Sequence, residues 1–182
     1  MVYEERTMKS EKLYEGKILS LRVDTVEIPN KMYSKREIIE HPGSVAIVTI
    51  VDEDKLVLVK QYRKAVEDFI LEIPAGKIDV NEEPKETAIR ELKEETGYEA
   101  SNMEYMLEFY SSPGYCDEII YIFLTDDITL EEQELDENEN IEVQTLQIDE
   151  VMKMIKLGKI LDGKTIVGAN IAKEYINSKK GR

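Results

Sequence analysis

With 182 residues, 42% of them hydrophobic and 35% charged, the chain has the apolar content of a folded domain with its own core rather than that of a disordered segment. Its 39 acidic residues against 24 basic ones leave a net charge of −15, which repels nucleic-acid phosphates and anionic lipid and argues against both as partners. A phosphorylated small molecule would be repelled too unless a cation intervened, so bound metal is an early expectation. No apolar run reaches the roughly 18 residues of a membrane span. The N-terminus lacks the apolar core of a signal peptide, and a single cysteine, Cys116, rules out an intrachain disulfide. Both suit a cytoplasmic protein.

In chain order, residues 1–40 have strand character. Leu19, Leu21 and Val23 alternate, Val26 and Ile28 follow, Pro29-Asn30-Lys31 marks a turn, and Ser34 to Glu40 reads as the return strand. His41-Pro42-Gly43 separates this section from Ser44–Val51 (SVAIVTIV), which is apolar enough for a central strand covered on both faces. Asp52 to Lys55 reads as a hairpin turn, Leu56 to Gln61 as its partner strand, Tyr62 to Asp68 as a loop, and Phe69 to Ile73 as a short strand. A helix is predicted from about Glu83 to Thr96, with Pro84 in its first turn, Gly97 just past its end, and Ala88, Ile89 and Leu92 as its apolar face. Strands follow at about Glu104–Tyr110 and Glu118–Leu124, then a long acidic loop from Asp126 to Asn140, a strand from Ile141 to Leu146, a short helix capped by Asp149, and a last helix from about Lys164 to Asn177. The order is mixed α/β without the regular alternation of a doubly wound sheet.

The helix from Glu83 carries an unusual load. Arg90, Glu91, Glu94 and Glu95 fall within six positions, and at about 100° per residue the three glutamates share one side. Like charges at i,i+4 cost roughly 0.2–0.5 kcal/mol, and negative charge near a helix C-terminus opposes the macrodipole. Stability alone would not select this; holding hard cations would. Arg90, amid these carboxylates, can fix their directions through bidentate hydrogen bonds. Glu82 can orient the loop or reach an ion through water.

Read as spacing, Gly76, five residues, Glu82, seven residues, Arg90-Glu91-Leu92, one residue, Glu94-Glu95, one residue and Gly97-Tyr98 resemble the Nudix box, GX5EX7REUXEEXGU with U bulky and apolar. Tyr98 is the loosest fit. The flanks resemble the ADP-ribose pyrophosphatase branch of that superfamily: Arg36-Glu37 before His41-Pro42-Gly43, Gln61-Tyr62-Arg63, Glu72-Ile73-Pro74-Ala75-Gly76, Ser111-Ser112-Pro113-Gly114, and Asp136-Glu137-Asn138-Glu139 in the acidic loop. Together these cover roughly residues 34–143.

The resemblance implies an α/β/α sandwich with a mixed sheet plus an N-terminal antiparallel β-sheet. Residues 1–40 would be a dimerising section and residues 41–182 the hydrolase domain of a homodimer. It implies hydrolysis of ADP-ribose to AMP and ribose 5-phosphate with Mg²⁺, or Mn²⁺ in its place. Glu91, Glu95, the Ala75 carbonyl and Glu139 would be metal ligands, and Glu94 a supporting ligand or base. Glu137 would be the general base and Arg90 an orienting group in the catalytic set. Arg63 would contact the diphosphate or terminal ribose; Arg36, Glu37, Pro113 and Gly114 would complete the substrate site. Taken as residues alone, the run around Glu137 also reads as a solvated loop, and Arg36 as a cross-strand partner of a carboxylate. His41 reads as a turn residue, Cys116 as a filler, and Met152 and Met154 as packing.

Within the superfamily, a broader ADP-sugar or dinucleoside polyphosphate hydrolase is an alternative, since Tyr115 stands near where the latter branch places a tyrosine. A binding-only sensor of ADP-ribose is an alternative of another class, but such a member would be expected to have lost one of Glu91, Glu94 and Glu95. Residues 17–23 (GKILSLR) offer no aromatic to stack on a base, which leaves Tyr14 or Tyr33 as substitutes.

Overall fold

The computed structural model describes residues 2–135 and 140–180. Contacts divide it into two units, one running to Gly43 and taking in Phe109–Ile119, the other comprising Ser44–Glu108 and the chain from Ile120 onward.

The first unit holds β1 (Arg6–Glu15), β2 (Ser20–Ile28) and β3 (Met32–Glu40) as an antiparallel sheet in the order β1-β2-β3. Pro29–Lys31 makes the tight β2–β3 turn, with Asn30 and Lys31 at φ 67° and 56°. The register runs from Ser20↔Glu40 to Ile28↔Met32. Every residue of β1 is exposed, so the strand carries no amphipathic signal. The alternation expected from Leu21 and Val23 is out of phase with the buried positions of β2, which are Asp24 and Val26. Arg22 explains a buried aspartate there: its guanidinium pairs with Asp24 at 3.4 Å and donates to Glu40 at 2.6 Å.

The chain continues with β4 (Ser44–Val51), β5 (Lys55–Arg63), β6 (Asp68–Glu72), β7 (Ala75–Lys77), α1 (Pro84–Thr96), β8 (Tyr98–Ala100), β9 (Glu104–Tyr110), β10 (Ile119–Thr125), β11 (Ile128–Leu130), β12 (Glu142–Gln147), α2 (Ile148–Lys156) and α3 (Gly163–Lys180). The main sheet has the order β12-β5-β4-β10-β9, with β6 on β5 and β7 on β4. It is mixed: β4 runs parallel to β10, Ser44↔Ile120 through Thr49↔Thr125, and antiparallel to β5 and β7. Because side chains alternate along a strand, β4 serves two helices. Val45 and Ile47 pack with Ala88 and Leu92 of α1, together with Met103 and Phe123. Val48 belongs to the other face, where α3 approaches so closely that a Cβ on Gly168 would lie 3.1 Å from Val48 and 2.8 Å from Ile73. Helices on both faces explain why SVAIVTIV is almost continuously apolar. The α/β/α sandwich with a mixed sheet and the N-terminal antiparallel sheet are the observed architecture. No helix among the described residues is long and apolar enough to cross a membrane.

Local differences from the sequence reading have local causes. Ile89 is 40% exposed and lies off the apolar face of α1, which Thr87, Ala88 and Leu92 supply instead. Asp149 is inside the first turn of α2 rather than its cap, where it accepts from Lys173 of α3 at 2.9 Å. The acidic stretch after Asp126 is not all loop, because β11 pairs with β8, Leu130 opposite Tyr98. Tyr98 is partly buried against the α1 core cluster and so fills an apolar position.

Helix α1 stops at Gly97, whose φ of 75° is left-handed and whose N–H donates to Lys93 O at 2.8 Å. A Cβ there would also lie 2.8 Å from the backbone oxygen of Glu131. Gly97→Ala should therefore lower stability by at least the left-handed cost of about 1–2 kcal/mol, read as a lower urea midpoint with an unchanged slope.

Candidate active site

One guanidinium holds Glu91 and Glu94 of α1 together with Glu82, which precedes the helix. Arg90 forks onto Glu82, Nε to Oε1 and Nη2 to Oε2, both at 2.9 Å, while its Nη1 donates to Glu91 Oε1 at 2.9 Å and Glu94 Oε2 at 2.7 Å. Thr87 Oγ1 donates to Glu82 as well, at 2.8 Å. Hydrogen bonding from Arg90, ahead of the contribution from Thr87, draws the Glu82 carboxyl down to about 2 from an ordinary 4.5. The same bonds push Arg90 further above its usual range, with Glu82 contributing most. Glu95 is 3% exposed, and its Oε2 accepts the Ala75 N–H at 3.0 Å.

The glycine opening this stretch has a steric reason. A Cβ on Gly76 would lie 1.9 Å from Glu91 Cδ, so the Glu91 carboxyl lies directly on the bare backbone of β7. The result is a set of oxygen donors from one helix beside the Ala75–Gly76 backbone. Among the described residues no three of His, Cys, Asp and Glu converge into a preformed cage. The donor chemistry nevertheless fits a hard divalent ion, which prefers carboxylate and carbonyl oxygens, and the absence of a side chain at Gly76 lets the Glu91 carboxyl reach the strand backbone.

Arg63, at the end of β5, lies in the same unit. Its Nε and Nη2 donate to Glu72 Oε1 and Oε2 at 2.7 and 3.0 Å, and Glu72 is 2% exposed. Glu72 also accepts from Lys164. The sequence alone gives Glu72 and Lys164 no role. The available signal was a lysine in the first turn of a helix, where a positive charge opposes the macrodipole.

The acidic stretch is tied to the end of α1. Glu131 N–H donates to Gly97 O at 2.7 Å, Glu134 N–H to Glu94 O at 3.1 Å, and the Gln133 side chain to Glu95 O. These bonds satisfy carbonyls that a helix end leaves open. Glu137 and Glu139 lie outside the described residues.

Four other predicted residues belong to the first unit. Arg36, Glu37, Pro113 and Gly114 line a cavity of about 490 Å³ together with Arg22 and Tyr110, among others. Tyr115 lines it too, and both tyrosines are more than half exposed. Tyr14 and Tyr33 do not line this cavity. Arg36 meets a carboxylate, but from the segment before β1 rather than across strands: Glu5 accepts from Nε at 2.8 Å and from Nη2. His41 is a turn residue, its Nδ1 accepting the Gly43 N–H at 3.1 Å. A larger cavity of about 880 Å³ in the second unit, lined by Tyr98, Tyr175 and Lys179 among others, contains none of the predicted site residues.

Residues 40–166 match the NUDIX domain model. The chain is 46% identical to a methanol dehydrogenase activator of Bacillus methanolicus over 168 residues, 91% of either chain. It is 45% identical to an ADP-ribose pyrophosphatase of Bacillus subtilis (strain 168) over 164 residues, 89% of either chain. Its fold is similar to a crystal structure of an ADP compounds hydrolase, with a TM-score of 0.85 and 23% identity, covering 98% of this chain and 97% of the other.

Because folding lowers the Glu82 pKa from 4.5 to about 2, its ionised form stabilises the fold above 4.5, and that contribution is lost as pH falls through this window. Glu82→Gln should therefore lower the melting temperature at neutral pH. The gap to wild type should close between pH 4.5 and 2 in thermal melts, whereas a constant gap would exclude the Glu82–Arg90 pair as its source.

Proposed function

The chain belongs to the NUDIX domain family, and from that membership we propose that it hydrolyses the diphosphate bond of ADP-ribose, giving AMP and ribose 5-phosphate. The observation that carries this reading is the Arg90-ordered glutamate set: Glu91 on the Gly76 backbone, Glu94 on the Arg90 guanidinium, and Glu95 on the Ala75 N–H. The similarity to an ADP-ribose pyrophosphatase over most of both chains supports the choice of substrate.

Hydrolases of this family generally use divalent metals. In our reading the ion is Mg²⁺, with Mn²⁺ as a substitute, held by Glu91, Glu95, the Ala75 carbonyl and Glu139. When bound, it supplies neutralisation of the diphosphate and activation of the attacked phosphorus. Arg90 keeps the carboxylate oxygens from splaying and Glu94 supports them. Glu137 takes the proton from the attacking water; the water oxygen forms the new P–O bond as the P–O–P bridge breaks. Arg63 binds the diphosphate. Arg36 and Glu37, with the Pro113-Gly114 turn, hold the nucleotide end, and Tyr110 and Tyr115 offer faces for its base.

Residues 1–40 make a homodimer in this reading. The wholly exposed β1, with Met8, Leu13 and Tyr14 at 49%, 58% and 58% exposure, supports that role. The Bacillus methanolicus relative supports a second reading, in which the chain also activates a dehydrogenase; adding it to a methanol dehydrogenase assay tests this directly.

Purified protein with Mg²⁺ should release AMP from ADP-ribose, and EDTA should stop it. Turnover of ADP-glucose, a diadenosine polyphosphate or NADH without ADP-ribose cleavage would overturn the substrate assignment. Glu95→Gln should lower kcat about a hundredfold or more through loss of a metal ligand. Glu137→Gln should lower kcat by about 10²–10⁴-fold with Mg²⁺ affinity by calorimetry unchanged; loss of Mg²⁺ binding would make Glu137 a ligand instead.

A further inference from the structure

The turn Asp162-Gly163-Lys164-Thr165 that opens α3 is bonded to the strand segment beside the glutamates. Asp162 Oδ2 accepts the Thr165 N–H at 2.9 Å, an N-cap bond, and the Thr165 hydroxyl at 2.6 Å. That hydroxyl in turn accepts the Ile73 N–H at 2.8 Å. The Lys164 ammonium is 12% exposed and bridges Asp162 Oδ1, at 3.0 Å, to Glu72 Oε2.

With these bonds the segment Glu72–Ala75 is held at each residue. Glu72 is gripped by Arg63 and Lys164, the Ile73 N–H by Thr165, the Pro74 carbonyl by Ile47 N–H at 2.8 Å, and the Ala75 N–H by Glu95. Arg63 uses its Nε/Nη2 edge on Glu72. A guanidinium has five N–H donors, and the Nη1 edge of this one has no partner among the described residues. Its side chain is 44% exposed. One edge is braced on a buried carboxylate, and among the described residues the other is unpaired.

A lysine in the first turn of α3 opposes the helix dipole, and burying its head costs solvation. Capping does not need it, because Asp162 and Thr165 do that. Its partner Glu72 does need it: a 2%-exposed carboxylate is sandwiched between two cations. We propose that Lys164 is a positioning residue for the reaction, fixing Glu72 from behind so that Arg63 presents its open edge to the diphosphate. Asp162 and Thr165 anchor it, and the same latch keeps Ala75 against Glu95. This rests on the hydrolase reading above but assigns a duty to a residue far along the chain from the glutamate helix.

The test is Lys164→Met beside Lys164→Arg, with KM and kcat for ADP-ribose and the calorimetric Kd of its non-hydrolysable α,β-methylene analogue. Lys164→Met should raise KM and the analogue Kd by about 10–100-fold. Lys164→Arg should recover most of the loss. In an Arg63→Ala background Lys164→Met should add less than about twofold, because the two act through one contact. A folded Lys164→Met protein with unchanged KM and Kd overturns the proposal, as does an undiminished loss in the Arg63→Ala background. If Lys164→Met fails to fold, the charge-matched pair Glu72→Gln/Lys164→Met replaces it; raised KM and Kd are expected, and wild-type values overturn the proposal. If the wild type leaves ADP-ribose uncleaved, the substrate reading fails on its own. The same variants are then compared on whichever diphosphate of the panel it does cleave, with the same outcomes deciding.

Discussion

The grip of Arg90 on Glu82, Glu91 and Glu94 is the interaction on which the rest of the site depends. Glu91 and Glu94 stand near the C-terminal end of the helix, where they repel one another and its dipole; left alone they would turn toward solvent. A guanidinium presents N–H groups in a fixed plane, so one side chain satisfies three partners and sets their directions together. An ammonium would neutralise the charge without fixing the geometry. The arrangement also needs Gly76, because Glu91 lies where any side chain at that position would be. Arginine, glycine and glutamates thus form one steric and electrostatic unit, which explains why their spacing is so specific.

Around this unit the backbone is fastened from several sides. The sheet holds Ala75 and Gly76 through pairing with Ala46 and Val45. The far end of α1 is closed by Glu131 to Glu134, whose bonds cap the helix and bring the acidic stretch to it. The opposite helix reaches Glu72 and Ile73 through Lys164 and Thr165. In the hydrolase reading, groups that meet a ligand are supported by partners that do not, which is how a site keeps its geometry without substrate.

What the sequence disclosed follows from where the signal resides. The strand Ser44–Val51 and helix α1 are local patterns, an apolar run and a capped amphipathic segment, and both appear within a residue or two of the expected bounds. The box was legible because sequence-local spacing on a helix is spatial spacing. By contrast β1 has both faces in solvent, so its polar sequence showed no alternation. Asp24 hid the buried face of β2, since a buried aspartate looks exposed until Arg22 is known to meet it. Lys164 and Glu72 are 92 residues apart, and only the packing of α3 on the sheet joins them. Glu5 reaches Arg36 from a segment that, as sequence, is featureless.

The two arginines proposed to face substrate differ in support. Arg63 leans on a buried carboxylate that is fixed in turn by α3, so its direction belongs to the fold. Arg36 leans on Glu5, and both partners are about a third exposed. Exposed pairs are screened and cheap to exchange. A substrate anion can therefore displace Glu5 from Arg36 at little cost, whereas displacing Glu72 from Arg63 would take away one of the two cations that hold a buried carboxylate. In the hydrolase reading, the direction of the group proposed for the diphosphate is therefore set by the fold, and that of the group proposed for the nucleotide end is exchangeable.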